Sequence, residues 1–214
     1  MPQSTRSGFE AFTGRLTVAL LAVLGLVVVV AVVSTQSTPA VADGPVPVDD
    51  REPVAIPLAP SAITGVEASS IGIRTTDVTD LGLRDDNSLD VPDDAETVGW
   101  YDRSASPGTV GPTVLAGHVN FSGAKGTFFD LKDMKKDDTV EVHREDGTTA
   151  VFRVDEVNQY PKDSFPTSTV YGATSDPEIR LITCGGVFDA AKHSYDDNIV
   201  VSGTLVDAYR AKDA

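Results

Sequence analysis

The chain contains one cysteine, Cys184, and its neighbours give it the setting of a nucleophile. The run Ile179-Arg180-Leu181-Ile182-Thr183-Cys184 has the apolar, β-branched texture of a strand, and Gly185-Gly186 follows it at once. A thiol at the mouth of a strand beside such small residues is accessible. The glycines also let main-chain N–H groups approach the oxyanion that acyl transfer creates. With no second cysteine an intrachain disulfide is impossible, which leaves a buried inert thiol, an intermolecular bridge or a reactive group. An unperturbed thiol is only about 3% thiolate at pH 7, so the reactive reading demands a base or cation nearby.

Of the three histidines, His118 answers that demand best. It follows Thr113-Val114-Leu115-Ala116-Gly117, a second strand that ends in a small residue with a loop beyond it. His143 sits in an acidic hairpin strand and His193 in a polar loop, and both read as solvated. Cys184 with His118 is therefore the candidate pair for thiol catalysis assisted by an acid and base. No metal or other cofactor is expected. One cysteine and three scattered histidines have no zinc-ligand spacing, and the acidic pairs Asp85-Asp86, Asp93-Asp94 and Asp137-Asp138 lack the alternating ligands and glycine of a calcium loop. Those pairs read as solvated turns. Trp100-Tyr101 is expected to pack on the domain, with a place in a peptide groove as the alternative.

The elements that must carry these residues are short. From Ser61 onward, Val/Ile/Thr/Leu runs alternate with Gly, Pro and Asp-rich turns, the signature of an all-β barrel or sandwich. Strands are expected at 70–75, 112–117, 139–144, 150–159, 178–184 and 198–206. Glu145-Asp146-Gly147 is expected to be a hairpin turn and 127–134 a short helical turn. Upstream, 34–60 carries six prolines without apolar periodicity and reads as a semi-extended linker. Residues 16–33 form an uncharged apolar stretch, long enough as a helix to cover roughly 27 Å, and read as a transmembrane helix. Arg6 and Arg15, opposed only by Glu10, place the segment 1–15 in the cytoplasm and the domain 61–214 outside. The competing reading is a signal peptide cleaved after Ala42, where Ala40-Val41-Ala42 fits the small-x-small rule.

Composition narrows the classes further. With 17 Lys and Arg against 32 Asp and Glu, the chain carries −15, which argues against nucleic acid as a partner because phosphate binding needs clustered cations. A hydrophobic share of 41% supports a packed core rather than a disordered chain.

Several motifs together resemble the sortase family: Ala116-Gly117-His118-Val119-Asn120, Phe128-Phe129-Asp130-Leu131, Tyr160-Pro161-Lys162 with Phe165-Pro166-Thr167, and above all Leu181-Ile182-Thr183-Cys184. Cys184-Gly185-Gly186-Val187-Phe188-Asp189 and Tyr195-Asp196-Asp197-Asn198 are most similar to class F sortases of high-GC Gram-positive bacteria. The resemblance implies a closed sortase-like β-barrel with short helical turns. It also implies a cysteine transpeptidase that cleaves an LPXTG-type sorting signal between Thr and Gly, forms a thioester on the cysteine, and passes it to an amine of a wall precursor or pilin. Carried onto this chain, Cys184 is the nucleophile and His118 the acid, then the base. The membrane, through the N-terminal helix, is the further partner.

The family's third catalytic residue is an Arg about a dozen positions after the cysteine, where this chain has Ser194-Tyr195-Asp196-Asp197-Asn198 and no Arg before Arg210. Strand alternation puts Arg180 on the face of Cys184, about 13 Å away between Cα atoms, so Arg180 is the expected substitute. Asn198 is the neutral alternative, and a rim ion pair is the structural reading of Arg180. Lys would supply charge without the planar fork of Arg. An L,D-transpeptidase is the rival enzyme, but its Ser-His-Gly-Cys-x-Arg run is not matched by Thr183-Cys184-Gly185. A degenerate scaffold module is the non-enzymatic alternative.

Overall fold

The computed structural model describes residues 51–212. The expected cytoplasmic segment 1–15, the transmembrane span 16–33 and most of the expected linker lie outside the described residues. Among the described residues no helix is long and apolar enough to cross a membrane.

The described chain folds as twelve strands and one short α-helix. The strands are β1 (Arg51–Pro53), β2 (Ile63–Ala68), β3 (Ile73–Thr75), β4 (Val78–Leu81), β5 (Val98–Tyr101), β6 (Gly111–Ala116), β7 (Asn120–Phe121), β8 (Ala124–Lys125), β9 (Thr139–Arg144), β10 (Thr148–Pro161), β11 (Pro177–Asp189) and β12 (Ser194–Ala211), with α1 (Thr167–Tyr171) between β10 and β11. One ten-stranded sheet runs β3-β2-β9-β10-β12-β11-β6-β5-β4, and β1 pairs with the far end of β12. Its path ends at β3 and β4, with β4 approaching β2, so the barrel is nearly closed rather than closed. Most neighbours are antiparallel, as hairpins allow, but β6 with β11 and β4 with β5 are parallel.

Alternation builds the interior. In β9, Val140, Val142 and Arg144 are buried while Thr139, Glu141 and His143 are not. In β12, Val201, Gly203 and Leu205 point inward, yet the next buried residue is Ala208. The pairing Phe152↔Leu205 and Val151↔Asp207 leaves Val206 as a bulge that shifts the alternation by one residue. The core holds Phe128, Leu115, Leu131, Phe152, Ile179 and Leu181, all fully buried. β6 differs from β9 because it is buried on both faces: Leu115 enters this core, while Val114 joins Ile182, Val200 and Val170 of α1 in a second cluster on the opposite face.

Several expected elements stand close to their places. The strand at 139–144 coincides with β9, β10 and β12 run longer than expected, and Gly147 takes φ +77° in the hairpin turn after Arg144. The expected helical turn contracts to one 3₁₀ turn at Leu131–Asp133. In the expected strand 70–75, Ser69–Ile71 form a 3₁₀ turn that ends at Gly72 with φ +74°, and only Ile73–Thr75 is extended. Residues 51–60 of the expected linker are packed on the domain. β1 pairs with β12, Leu58 is buried and bonded to Gly108, and the buried Arg144 guanidinium donates to the Ala59 carbonyl. Proline content hid this docking, because docked and solvated extended chain share one composition.

Truncation of Phe152 to Ala should destabilise the domain by about 3–5 kcal/mol through lost burial and the cavity left behind. Val206→Thr, at the exposed bulge, should stay within about 0.5 kcal/mol. Urea unfolding of both variants measures the difference.

Candidate active site

β6 and β11 lie side by side in parallel, with Ile182 opposite Ala116. The ladder ends there, and the chain past β6 stays tied to β11 through Gly117. Two bonds hold the strands together past the ladder: Gly117 N–H donates to the Ile182 carbonyl at 3.1 Å, and the buried Thr183 hydroxyl donates to the Gly117 carbonyl at 2.8 Å. The two candidate residues, 66 positions apart, both line one cavity of about 940 Å³.

The loop that starts at His118 is clamped from behind. Phe128 N–H donates to the His118 carbonyl and Gly126 N–H to that of Val119, at 3.0 Å each. Position 126 requires glycine because an added Cβ would lie 2.0 Å from the His118 oxygen. The ring is oriented too. His118 Nε2 is 2.7 Å from the Pro92 carbonyl, which can only accept, so Nε2 carries the proton and Nδ1 is left to exchange one. Phe121 packs against the ring at 4.8 Å between centroids. Asp94 lies nearby, and its carboxyl is held below its ordinary range chiefly by bonds from the Thr97 N–H and hydroxyl, with a smaller contribution from His118.

Cys184 is partly exposed and does not end its strand. β11 runs on to Asp189 through an irregularity between Gly185 and Phe188, and the glycines serve that hairpin. Gly186 has φ +77°, and an added Cβ would meet the Asp197 carboxylate at 2.5 Å. Register also places Asn198 opposite Cys184 and Tyr160 opposite Asn198, so β10, β12 and β11 align three residues in a row. Just past Tyr160, Lys162 reaches across: its Nζ is 3.5 Å from Cys184 Sγ and 2.9 Å from Ser194 Oγ.

The other end of the cavity is apolar and aromatic. Ile182 forms its floor with Leu89, Tyr101, Phe165 and Tyr171 around it, and Tyr101 meets Tyr171 edge-on at 6.2 Å. Burial, then the neighbouring Tyr101, push the Tyr171 phenol above its ordinary value, which keeps it neutral. Trp100 packs toward the main core, as expected, while Tyr101 lines the cavity. The acidic pairs cap turns: Asp86 accepts from Ser88, Asp94 from Thr97 and Asp138 from Lys135 N–H.

Arg180 is not among the residues that line the cavity. Although it shares a face with Cys184, its guanidinium is buried against the Glu178 carboxylate at 2.5 Å and the Ile179 carbonyl at 3.0 Å. The expected oxyanion role is therefore not supported by its position, and the structural reading as an ion pair describes it. The signal was present in the sequence, because Glu178 and Arg180 lie two apart and alternation puts them on one face. Arg210 lies at the opposite end of β12, opposite Thr148. Asn198, the neutral alternative, does line the cavity. The residue that sequence reasoning missed is Lys162, whose approach depends on the order of three strands.

A thiol within β11 and an imidazole just past the end of β6, both lining one cavity, define a cysteine acyl-transfer site on a nearly closed β-barrel. Residues 69–206 match the Sortase domain family, well over half of the chain. The chain belongs to the sortase family and is a cysteine transpeptidase. Among solved structures it is similar to sortase A from Corynebacterium diphtheriae, a lid mutant (22% identity, 68% of this chain and 70% of that one, TM-score 0.51). It is also similar to sortase A of Listeria monocytogenes (20%, 70% and 90%, 0.51). Streptococcus agalactiae sortase C1 in complex with MTSET is a third (17%, 68% and 69%, 0.51). At these identities the likeness establishes the fold. No curated protein matches the chain.

Replacing Thr183 with Val keeps shape but removes the donor to Gly117, which should cost about 1–3 kcal/mol. The Gly117-His118 step should loosen, and turnover should fall by about 10- to 100-fold with little change in KM. Unfolding curves and steady-state kinetics on one preparation read both effects.

Proposed function

We propose that this sortase cleaves an LPXTG-type signal between Thr and Gly and transfers the Thr acyl group to an amine of a wall precursor or pilin. Cys184 is the nucleophile and His118 the proton carrier. The observation that supports this reading is the parallel pairing of β6 with β11, after which both His118 and Cys184 line one cavity.

The thiolate of Cys184 attacks the Thr carbonyl carbon, forming a C–S bond while the carbonyl electron pair moves onto oxygen. Collapse of that intermediate breaks the C–N bond, and the leaving Gly nitrogen takes a proton from His118, which leaves a thioester. An incoming amine attacks the thioester and gives a proton to His118. The C–S bond then breaks and returns the thiolate. The apolar residues that precede Thr in such a signal suit the Ile182, Tyr101 and Tyr171 end of the groove. The runs Cys184 to Asp189 and Tyr195 to Asn198 support a place among class F sortases. The apolar stretch 16–33 behind Arg6 and Arg15 supports a single-pass anchor with the catalytic domain outside the cell.

Wild-type protein incubated with an LPXTG-containing peptide and an amine acceptor should yield the ligated product by mass spectrometry. Cys184→Ala should abolish it, and His118→Ala should lower the rate by at least about 10²-fold. Release of the Gly-containing fragment by the Cys184→Ala variant would exclude covalent catalysis by this thiol. Full-length chain should fractionate with membranes, and chain lacking residues 1–33 should not.

A further inference from the structure

The groove holds a nucleophile that must carry negative charge on a protein of net charge −15. A thiolate nucleophile is stabilised by a cation close to sulfur. On β12, where the resemblance leads one to expect an Arg, stand Asp196, Asp197 and Asn198. Arg84, which also lines the cavity, pairs with Asp90 at 2.9 Å, and outside the lining Arg180 pairs with Glu178 at 2.5 Å and Lys192 with Asp189 at 3.2 Å. Lys162 differs from all three. Among the described residues it has no carboxylate partner within ion-pair distance, and its ammonium instead lies 3.5 Å from Cys184 Sγ with Ser194 Oγ as its second acceptor.

Its position follows from strand order. β10 ends at Pro161, opposite Asp197 of β12, and the 3₁₀ turn Lys162–Ser164 begins at the next residue. From there the Lys side chain crosses β12 to Cys184, which lies opposite Asn198 on β12's other flank. A four-carbon stem spans that crossing, and the Ser194 hydroxyl anchors its tip.

We propose that Lys162 is a catalytic residue of this transpeptidase, the cation that pairs with the Cys184 thiolate. The assignment rests on the transpeptidase reading of Cys184. Lys162 donates N–H to the sulfur before attack, while His118 carries the proton between leaving and entering amines. During acylation the charge passes from sulfur to the adjoining carbonyl oxygen, and the mobile ammonium stays within reach of both. A compact cation on a flexible stem suits a charge that moves between two atoms, whereas the geometric fork of an Arg suits one that stays in place. Lys162 is exposed, so solvent screens the pair and its effect is moderate.

Because the chain has one cysteine, alkylation by iodoacetamide reports Cys184 alone and requires no substrate. At pH 7, Lys162→Met should slow alkylation by about three- to tenfold, below the full effect of an adjacent buried charge, while Lys162→Arg retains most of the rate. Single-turnover acylation by an LPXTG-containing peptide should fall in the same order, with circular dichroism unchanged. Alkylation of Lys162→Met at the wild-type rate would overturn the proposal, as would finding that Arg84→Gln is the variant that slows it. Wild-type protein that is inactive on the peptide, yet shows Lys162-dependent alkylation, would refute the function proposed above and leave the pairing of ammonium and thiolate standing.

Discussion

The parallel pairing of β6 with β11 is the constraint on which the site depends. Parallel neighbours cannot be joined by a tight turn, so their ends meet only if the intervening chain makes a crossover. Here that crossover is residues 117–176, which contribute β7 to β10 and α1 to the fold. Once the strands are paired, β6 ends while β11 runs on, with Gly117 tied to Ile182 and Thr183. The histidine and the cysteine then have little freedom to separate. The clamp of Phe128 and Gly126 on the next residues passes this order from the core to the imidazole.

A second consequence follows from the central place of these strands. Because β6, β11 and β12 sit mid-sheet, each must satisfy an environment on both faces, and the sequence answers with apolar residues at successive positions such as Val114-Leu115 and Leu181-Ile182. The inner set closes the core. The outer set, covered only in part by α1 and the aromatic residues Tyr101, Phe165 and Tyr171, becomes the floor of a peptide-sized groove. Core and groove are thus two faces of the same strands, and the thiol lines the groove from within β11.

Electrostatics set the remaining condition. A thiolate is stabilised by a nearby cation, and the basic side chains Arg84, Arg180 and Lys192 are drawn into ion pairs by neighbouring carboxylates. Arg180 shows the effect most clearly: Glu178, two residues away on the same strand face, takes its guanidinium out of the groove. Lys162 escapes it because the turn after β10 carries it past the acidic edge of β12 to the sulfur.

What the sequence by itself determined was local and periodic. The alternation in Thr139–Arg144, the Asp-Gly turn after it, and the strand that ends at Gly-His were legible because they depend on residues one to four positions apart, whereas the strand through Thr-Cys runs on to Asp189 beyond its expected end. The motifs around His118 and Cys184 also pointed to the family, and the matching domain agrees. Other features needed the tertiary structure. β5 and α1 carry too few residues for a periodic signal, and the docking of residues 51–60 on β12 leaves no trace in composition. The bulge at Val206 shifts a period that sequence alone would have continued. Which cation attends the thiol was likewise decided in three dimensions: it follows from β10, β12 and β11 lying side by side, and strand order arises from long-range pairing that no nearby residue encodes.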